Sequence, residues 1–401
     1  MRRLNPAYPQ PGRTVWLLAL ISMFTDLASE MLYPVLPVYL SGIGYSVVFI
    51  GVLEGIAEAM AGLSKSYFGA RSDASGSRKP FVVTGYGLSA VSKPLMIVSA
   101  LPFWIFATRL ADRLGKGIRT GARDALLSDC ATPSTKGRVF GFHRSMDTAG
   151  AFAGPLLALC LLHFFPGNYA LVFYVALLPG LIALGISAWL KEPDKEEKER
   201  MPPKSPGFFS SLSYLKKDNP AYRKLVAVLI FFALFNSADL FLLLRIRESG
   251  VSDTGVIGCY VFYNAVYALA AYPFGKLADR IGMPLLLIGG LLCFALAYGG
   301  FALSASIWIF PASLFLYGLY AAATEGVSKA LISNLVPPSE TGRAIGTFSA
   351  LQSLALLFAS SMAGLCWYYA GPRFTFLLPA LAALISVLLI LGMRKKLIFE
   401  K

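Results

Sequence analysis

Histidine and cysteine are scarce in this chain, and their scatter excludes much chemistry. The two histidines, His143 and His163, stand apart, and the five cysteines, Cys130, Cys160, Cys259, Cys293 and Cys366, fall inside apolar stretches or at their edges. Neither set has the spacing of a metal cage or a disulfide framework. No Gly-x-x-x-x-Gly-Lys-Ser/Thr loop occurs, which argues against a built-in ATP motor. No His, Cys and Ser arrangement has catalytic spacing either, so an enzyme is not expected. Charge is thin as well: 14% of residues are charged against 56% hydrophobic, with a mean hydropathy of +0.63. Water cannot be the main solvent of such a chain. The net charge of +14 would suit nucleic acid, but no soluble domain exists to carry such a module, and basic residues on a membrane protein set its orientation instead.

What is present is a series of long apolar runs. A spanning helix needs about 20 mostly apolar residues, and twelve such segments occur: 14–40, 47–70, 80–100, 103–130, 138–163, 168–190, 224–244, 254–275, 283–303, 307–335, 343–369 and 374–393. The first follows Arg2, Arg3 and Arg13, yet it is too long for a signal peptide and is expected to be retained. Of the 36 Lys and Arg, 24 fall in segments that are cytoplasmic if the amino terminus is inside, three fall outside (Arg245, Arg247, Arg373) and nine lie within spans. Because cytoplasmic loops retain positive charge, both termini are expected in the cytoplasm. The charged, proline-containing stretch KEPDKEEKERMPPKSP reads as a linker, dividing the chain into 1–190, a cytoplasmic linker 191–223, and 224–401. The expectation is an all-α, multi-pass protein of a bacterial-type inner membrane, surrounded by lipid and monomeric.

Two stretches recur at nearly one offset, the mark of a duplicated architecture. Gly69-Ala-Arg-Ser-Asp73-Ala-Ser-Gly76-Ser-Arg78 after the second span is matched, 206 residues on, by Gly275-Lys-Leu-Ala-Asp279-Arg280-Ile-Gly282 after the eighth. Likewise the stretch from Ala125 to Gly141, with Gly137-Arg138, is mirrored at an offset of 205 by that from Ala330 to Gly346, with Gly342-Arg343. These residues resemble the major facilitator superfamily, whose signature after helices 2 and 8 is G-x-x-x-D-R-x-G-R-R/K; the first copy departs from it at Ala74 and Ser77. Pro34-Val-Leu-Pro37 is similar to the P-V-x-P of the twelve-helix drug/proton antiporter branch. Gly141, Gly150, Gly154 and Pro155 open that branch's helix 5 motif, although Ala158 and Leu159 replace its closing glycines. Arg109 with Asp112 loosely matches its helix 4 element. The resemblance implies the major facilitator fold, two pseudo-symmetric six-helix bundles around a central path, with the repeated loops latching the halves. A plainer reading of Asp73 and Asp279 stays open: each precedes a helix, 3 or 9, whose positive dipole end it would complement. Gly150 and Gly154 also read as a simple helix-packing face.

Spans 168–190, 283–303 and 374–393 hold no charged residue, whereas spans 1, 4, 7 and 10 all do. Helices 3, 6, 9 and 12 are therefore expected outside and 1, 4, 7 and 10 around a cavity, with Lys93 on helix 3 turned inward. An ionisable group at membrane depth costs about 2.5–3.5 kcal/mol on the mildest scale and so faces the interior. Asp26 and Glu30 share one face of helix 1, as Glu54 and Glu58 do on helix 2. With Asp112, these are the candidates for carrying a coupled proton. Helix 4 bears Arg109, Arg113 and Lys116 on a basic stripe that either answers those acids or binds an anionic group. Charges nearer the cytoplasmic end, among them Lys65, Asp124, Arg144 and Asp147, are expected only to hold their own half together. In the second half Asp239, Glu325 and Lys329 are the intramembrane charges, while Tyr263, Asn264 and Tyr267 with Tyr260, and Tyr317 with Tyr320, form aromatic stripes. These join the basic residues of helix 4 as candidate substrate contacts, the alternative being packing.

The expected function is a proton-coupled secondary transporter of a small amphipathic solute, more an exporting antiporter than its alternative, a symporter importing an anionic metabolite. It needs no cofactor beyond the proton gradient. Topology is the first test: a fused reporter active only outside the cell should be silent at Lys204 and at Lys401, and activity at either site would overturn the twelve-span map.

Overall fold

The computed structural model describes residues 12–33, 35–45, 47–192, 214–215, 219–251, 253–303 and 308–398. Helix is the dominant structure because only an internally hydrogen-bonded backbone survives in hydrocarbon. Ten expected spans are single helices: α3 (Val47–Ser75), α4 (Lys79–Leu95), α5 (Pro102–Asp129), α6 (Lys136–Phe164), α7 (Tyr169–Ala188), α10 (Asp253–Ile281), α11 (Met283–Leu303), α12 (Ile309–Asn334), α13 (Thr341–Ala370) and α14 (Pro372–Ile398). The other two are each broken. Span 1 is α1 (Arg13–Leu32) followed by α2 (Val35–Gly42), and span 7 is α8 (Pro220–Ala233) followed by α9 (Leu240–Glu248). The first interruption lies between Leu32 and Val35, and residue 34 is outside the described residues. The second runs through Leu234-Phe-Asn-Ser-Ala-Asp239, a stretch whose Asn, Ser and Asp side chains compete with helical hydrogen bonds.

Helix pairing follows the duplication. Span 2 packs on span 4, 3 on 4 and 3 on 6 (α3 on α5, α4 on α5, α4 on α7), and the same pairs recur as α10 on α12, α11 on α12 and α11 on α14. The halves meet along two seams that are themselves a related pair, α3 against α13 and α6 against α10. Glycine makes both seams possible. A Cβ on Gly346 would lie 2.5 Å from the Lys65 carbonyl, and one on Gly141 would lie 2.6 Å from that of Ala271. Such contacts are available only to a bare backbone.

The repeated motifs sit at one end of these seams, on the last turns of α3 and α10 and not in separate loops. Gly76 and Gly282 end the two helices at φ of 68° and 95°, the left-handed conformation that glycine adopts without strain. Asp73 and Asp279 do not cap the helices that follow them, contrary to the plainer expectation. The Asp73 carboxylate accepts the backbone N–H of Gly342 at 3.2 Å and of Arg343 at 2.6 Å, in the first turn of α13. Asp279 does the same for Gly137 at 2.8 Å and Arg138 at 2.9 Å, in the first turn of α6. Each aspartate thus satisfies orphan donors and the dipole of a helix in the opposite half. Arg78 reinforces the first cap, bonding Asp73, Asp129 at 2.8 Å and the Pro338 carbonyl at 3.1 Å.

Both described ends of the linker are tied down beside these caps. The Glu192 carboxylate accepts from the Arg78 and Lys79 amides at 2.9 and 2.6 Å, at the start of α4. Tyr214, 2% exposed, donates to Glu340 at 2.8 Å; burial, with the Glu340 carboxylate beside it, raises its phenol above the ordinary value.

If the caps hold this end shut, Asp73→Asn and Asp279→Asn should each shift the conformational balance about tenfold or more, since a hydrogen bond to a charged group contributes about 1.5–3 kcal/mol. The measurement is maleimide labelling of a cysteine replacing the buried, seam-facing Ser66, in a background freed of native cysteines. Unchanged labelling in both variants would reduce the aspartates to simple helix caps.

Candidate functional site

Between the halves lie two cavities of about 520 and 650 Å³, lined by residues of both. No residue of spans 3, 6, 9 or 12 lines either one, in keeping with the lack of charge on spans 6, 9 and 12 and with Lys93 of span 3 being buried against Asp112. The lining is broader than spans 1, 4, 7 and 10, however. Spans 2, 5, 8 and 11 contribute Glu58, Arg144, Tyr263 and Ser353 among others.

Most of the buried charge of the first half neutralises itself. Arg109 grips Glu54 through two bonds of 2.7 Å and reaches Asp112 at 3.2 Å. Arg113 meets Glu58 at 3.1 Å and Glu54 at 3.7 Å. Lys93 points inward, as expected, onto Asp112 at 3.1 Å, and Ser89 donates to the same carboxylate. Pairing offsets desolvation only when both partners stay, so Arg109 and Arg113 are engaged by carboxylates of their own half and not held free for an anion. Lys116 lines the cavity without such a bond among the described residues.

Asp26 and Glu30 are the exceptions among the acids. Their turn of α1 lies against α6 at the helix 5 glycines: a Cβ on Gly154 would meet the Leu27 carbonyl at 2.7 Å and Glu30 Cβ at 3.0 Å, and one on Gly150 would strike the Met23 carbonyl. Pro155 continues this buried face. Neither carboxylate accepts a hydrogen bond or reaches an ion-pair partner among the described residues. Asp147, Lys116 and Arg119 stand in the field of Asp26, and Lys116, Arg113, Asp147 and Arg109 in that of Glu30. Arg109 and Arg113 act on Glu30 only through space: among the described residues neither bonds Asp26 or Glu30, because both guanidinium groups bond Glu54 or Glu58 of α3. Arg119 is 3% exposed and lies 4.6 Å over the Tyr86 ring, with Nε and Nη1 unpartnered.

Charges toward the linker end do more than hold their own half together. Asp124 joins Arg123 at 2.9 Å to Lys329 of the other half at 2.7 Å. Arg144 bonds Asp147 at 2.6 Å, donates to the Tyr267 hydroxyl and lies 3.8 Å from Glu325. Lys65 reaches Ser353 across the gap at 3.4 Å. Ser22 ties the first two groups together, donating to Asp147 and accepting from Arg123 at 3.0 Å. Glu325, which lines the cavity as expected, and Lys329, which does not, are therefore parts of a polar bridge at its base. Among the described residues every inter-half hydrogen bond lies at mid-depth or toward this end, so the cavity is closed on the linker side.

The second half presents a different wall. Tyr263 and Tyr317 both donate to Asp239, at 2.8 and 2.6 Å, and Tyr320 accepts from Asn236 at 3.0 Å. Tyr260, Tyr263, Tyr267, Tyr317 and Tyr320 all line the cavity. Asn264 does not: it is buried and donates to its own helix at the Tyr260 carbonyl. The sequence reading missed Tyr33, Asn236 and Gln352, which also line the cavity. The first two stand at the helix breaks, and a polar residue amid an apolar run was their one available signal.

The match to the Major Facilitator Superfamily covers residues 18–262 and 247–397. An uncharacterized MFS-type transporter of Methanocaldococcus jannaschii is 31% identical over 95% of this chain and 94% of its own. The multidrug resistance protein MdtH of Cronobacter sakazakii is 21% identical over 89% and 87%. Among solved structures, the human organic anion transporter MFSD10 superposes with a TM-score of 0.80 at 19% identity, covering 95% of this chain and all of its own. Two seams of glycine and crossed aspartate caps around a central path are thus accompanied by kinship along nearly the full length: the chain belongs to the Major Facilitator Superfamily and is a membrane transporter, not an enzyme.

Proposed function

We propose that the protein is a proton-coupled antiporter exporting a small amphipathic organic solute, with its linker end on the cytoplasmic side of a bacterial-type inner membrane. The observation that carries this reading is the isolation of Asp26 and Glu30. Every other described acid within the spans of the first half has a bonded cation, whereas these two have none. An unpaired carboxylate away from bulk water favours its protonated form, and it can change charge without breaking the network that holds the bundle. With Lys116 and Glu30 both on the cavity, protonation alters the field that a solute meets, giving the proton a differential effect on two states. Closure at the linker end leaves the cavity facing outward, where an exporter releases solute and takes up protons. The multidrug resistance relative and the packing of Gly150 and Gly154 against this turn support export. Lys65 and Lys116 favour the second reading, symport of an anion.

In liposomes under an imposed pH gradient, the transported solute should drive proton flux of opposite sense. Asp26→Asn and Glu30→Gln should each reduce uphill accumulation at least about tenfold, the effect of ~1.4 kcal/mol, while solute binding stays within a few-fold. Full accumulation by both single variants and the double variant would remove the pair from the mechanism, and co-directional flux would favour the symporter.

A further inference from the structure

After Glu30, Asp239 is the second carboxylate of the cavity without a bonded counter-ion among the described residues. It ends the unwound stretch of span 7, its two oxygens accepting from the Tyr263 and Tyr317 hydroxyls at 2.8 and 2.6 Å. Acceptance on both oxygens suits an ionised carboxylate and leaves lone pairs for a further donor. The charged groups nearest in its field are Glu325 and Arg144, and Arg144 is occupied by Asp147 and Tyr267. From the first half, Glu30 approaches the same place. Tyr260 lies within the fields of Glu30, Asp239 and the Tyr33 hydroxyl together, and all four residues line the one cavity. Asn236 adds an unsatisfied acceptor: its Nδ2 donates to Tyr320 while its buried Oδ1 has no partner.

We propose that this corner binds the cationic group of the solute, an ammonium or onium carried on an apolar body, with Asp239 as counter-ion and Tyr260, Tyr263 and Tyr317 as aromatic walls. Ring faces attract a cation and repel an anion. The Asp239 carboxylate and a free amide oxygen, with no free base beside Asp239 among the described residues, fix the sign of the preferred ligand. The cavity's lysines, Lys65 and Lys116, stand on α3 and α5, across from the tyrosine wall. This inference deepens the proposed function, resting on it only in taking the cavity as the solute path.

The test compares two ions of the same shape and opposite charge, tetraphenylphosphonium and tetraphenylborate, binding at equilibrium to the full chain in nanodiscs without a gradient. The wild type should bind the phosphonium at least about tenfold more tightly. Asp239→Asn should lose about tenfold or more of that affinity, Asp239→Glu should retain it, and Tyr260→Leu should lose about threefold or more. If Asp239→Asn does not fold, judged by its melting temperature, Tyr260→Leu and Asp239→Glu carry the test. Preference for the borate, binding of neither ion, or undiminished phosphonium binding in folded Asp239→Asn or in Tyr260→Leu overturns the cation site. Each such outcome leaves the proton-flux experiment free to succeed, so failure of this site and failure of proton coupling are told apart.

Discussion

A charge in hydrocarbon must find its compensation inside the protein, and that constraint organises this molecule. Water would screen Arg109 or Glu54 at little cost; in the bundle each can stay ionised only by holding the other. The result is a first half cross-linked by buried ion pairs and a second half in which tyrosine hydroxyls do the same work with far less charge. Spans 3, 6, 9 and 12 are left free to meet lipid. Lys93 shows the rule at its limit: on an otherwise lipid-suited helix it is 1% exposed and bonded to Asp112.

The same constraint explains how two halves can hold together and still come apart. Their seams join apolar contacts such as Phe142 on Tyr272 to glycine backbones in close approach, and are closed by aspartates on helix N-termini of the opposite half. A helix end offers unsatisfied N–H groups whether or not the partner is there, and water can replace the carboxylate once the seam opens. The interaction is therefore strong enough to favour one state and cheap enough to release. The charge bridges of Asp124 with Lys329 and of Arg144 with Tyr267 add a second layer nearer the cavity, where less water can substitute. Opening this end must dispose of those charges, and the unpaired carboxylates and lysines around them are the groups at hand to do so.

The fold was legible in the sequence because lipid imposes a length of about 20 residues on each apolar run and because the duplication repeats its motifs almost unchanged. The site was legible only in its residue types. Asp26 with Glu30 and Glu54 with Glu58 have identical spacing, yet the second pair faces Arg109 and Arg113 while the first faces the helix 5 glycines. Spacing names a helix face and is silent on what stands opposite it. For the same reason Asp73 could be read as capping its own neighbour, when its partner lies 269 residues away at Gly342. The break at 234–239 was hidden because Asn236, Ser237 and Asp239 within an apolar run also suit the polar face of an intact helix. Only the packing of span 7 against its neighbours decides between the two.

The helix breaks connect the duplication to the asymmetry of the cavity. Both fall on the first span of a half, and the offset of 206 residues that relates Gly69 to Gly275 carries Glu30 to Asn236 and Tyr33 to Asp239. Equivalent positions beside the pseudo-twofold axis therefore hold a carboxylate and an amide on one side, and a phenol and a carboxylate on the other. Had duplication preserved both, like charges would face one another across the axis in a low dielectric, and each would raise the cost of the other. Exchanging the order of acid and neutral partner keeps one carboxylate in each half while separating them along the axis. In the mechanism proposed above, a carboxylate on each side of the path gives both halves a grip on whatever occupies it, and a ligand or proton held between them acts on the balance between halves and not on one half alone. That is the requirement for coupling occupancy to alternating access, and it follows from where the chain interrupts two helices and which side chains it sets at the interruptions.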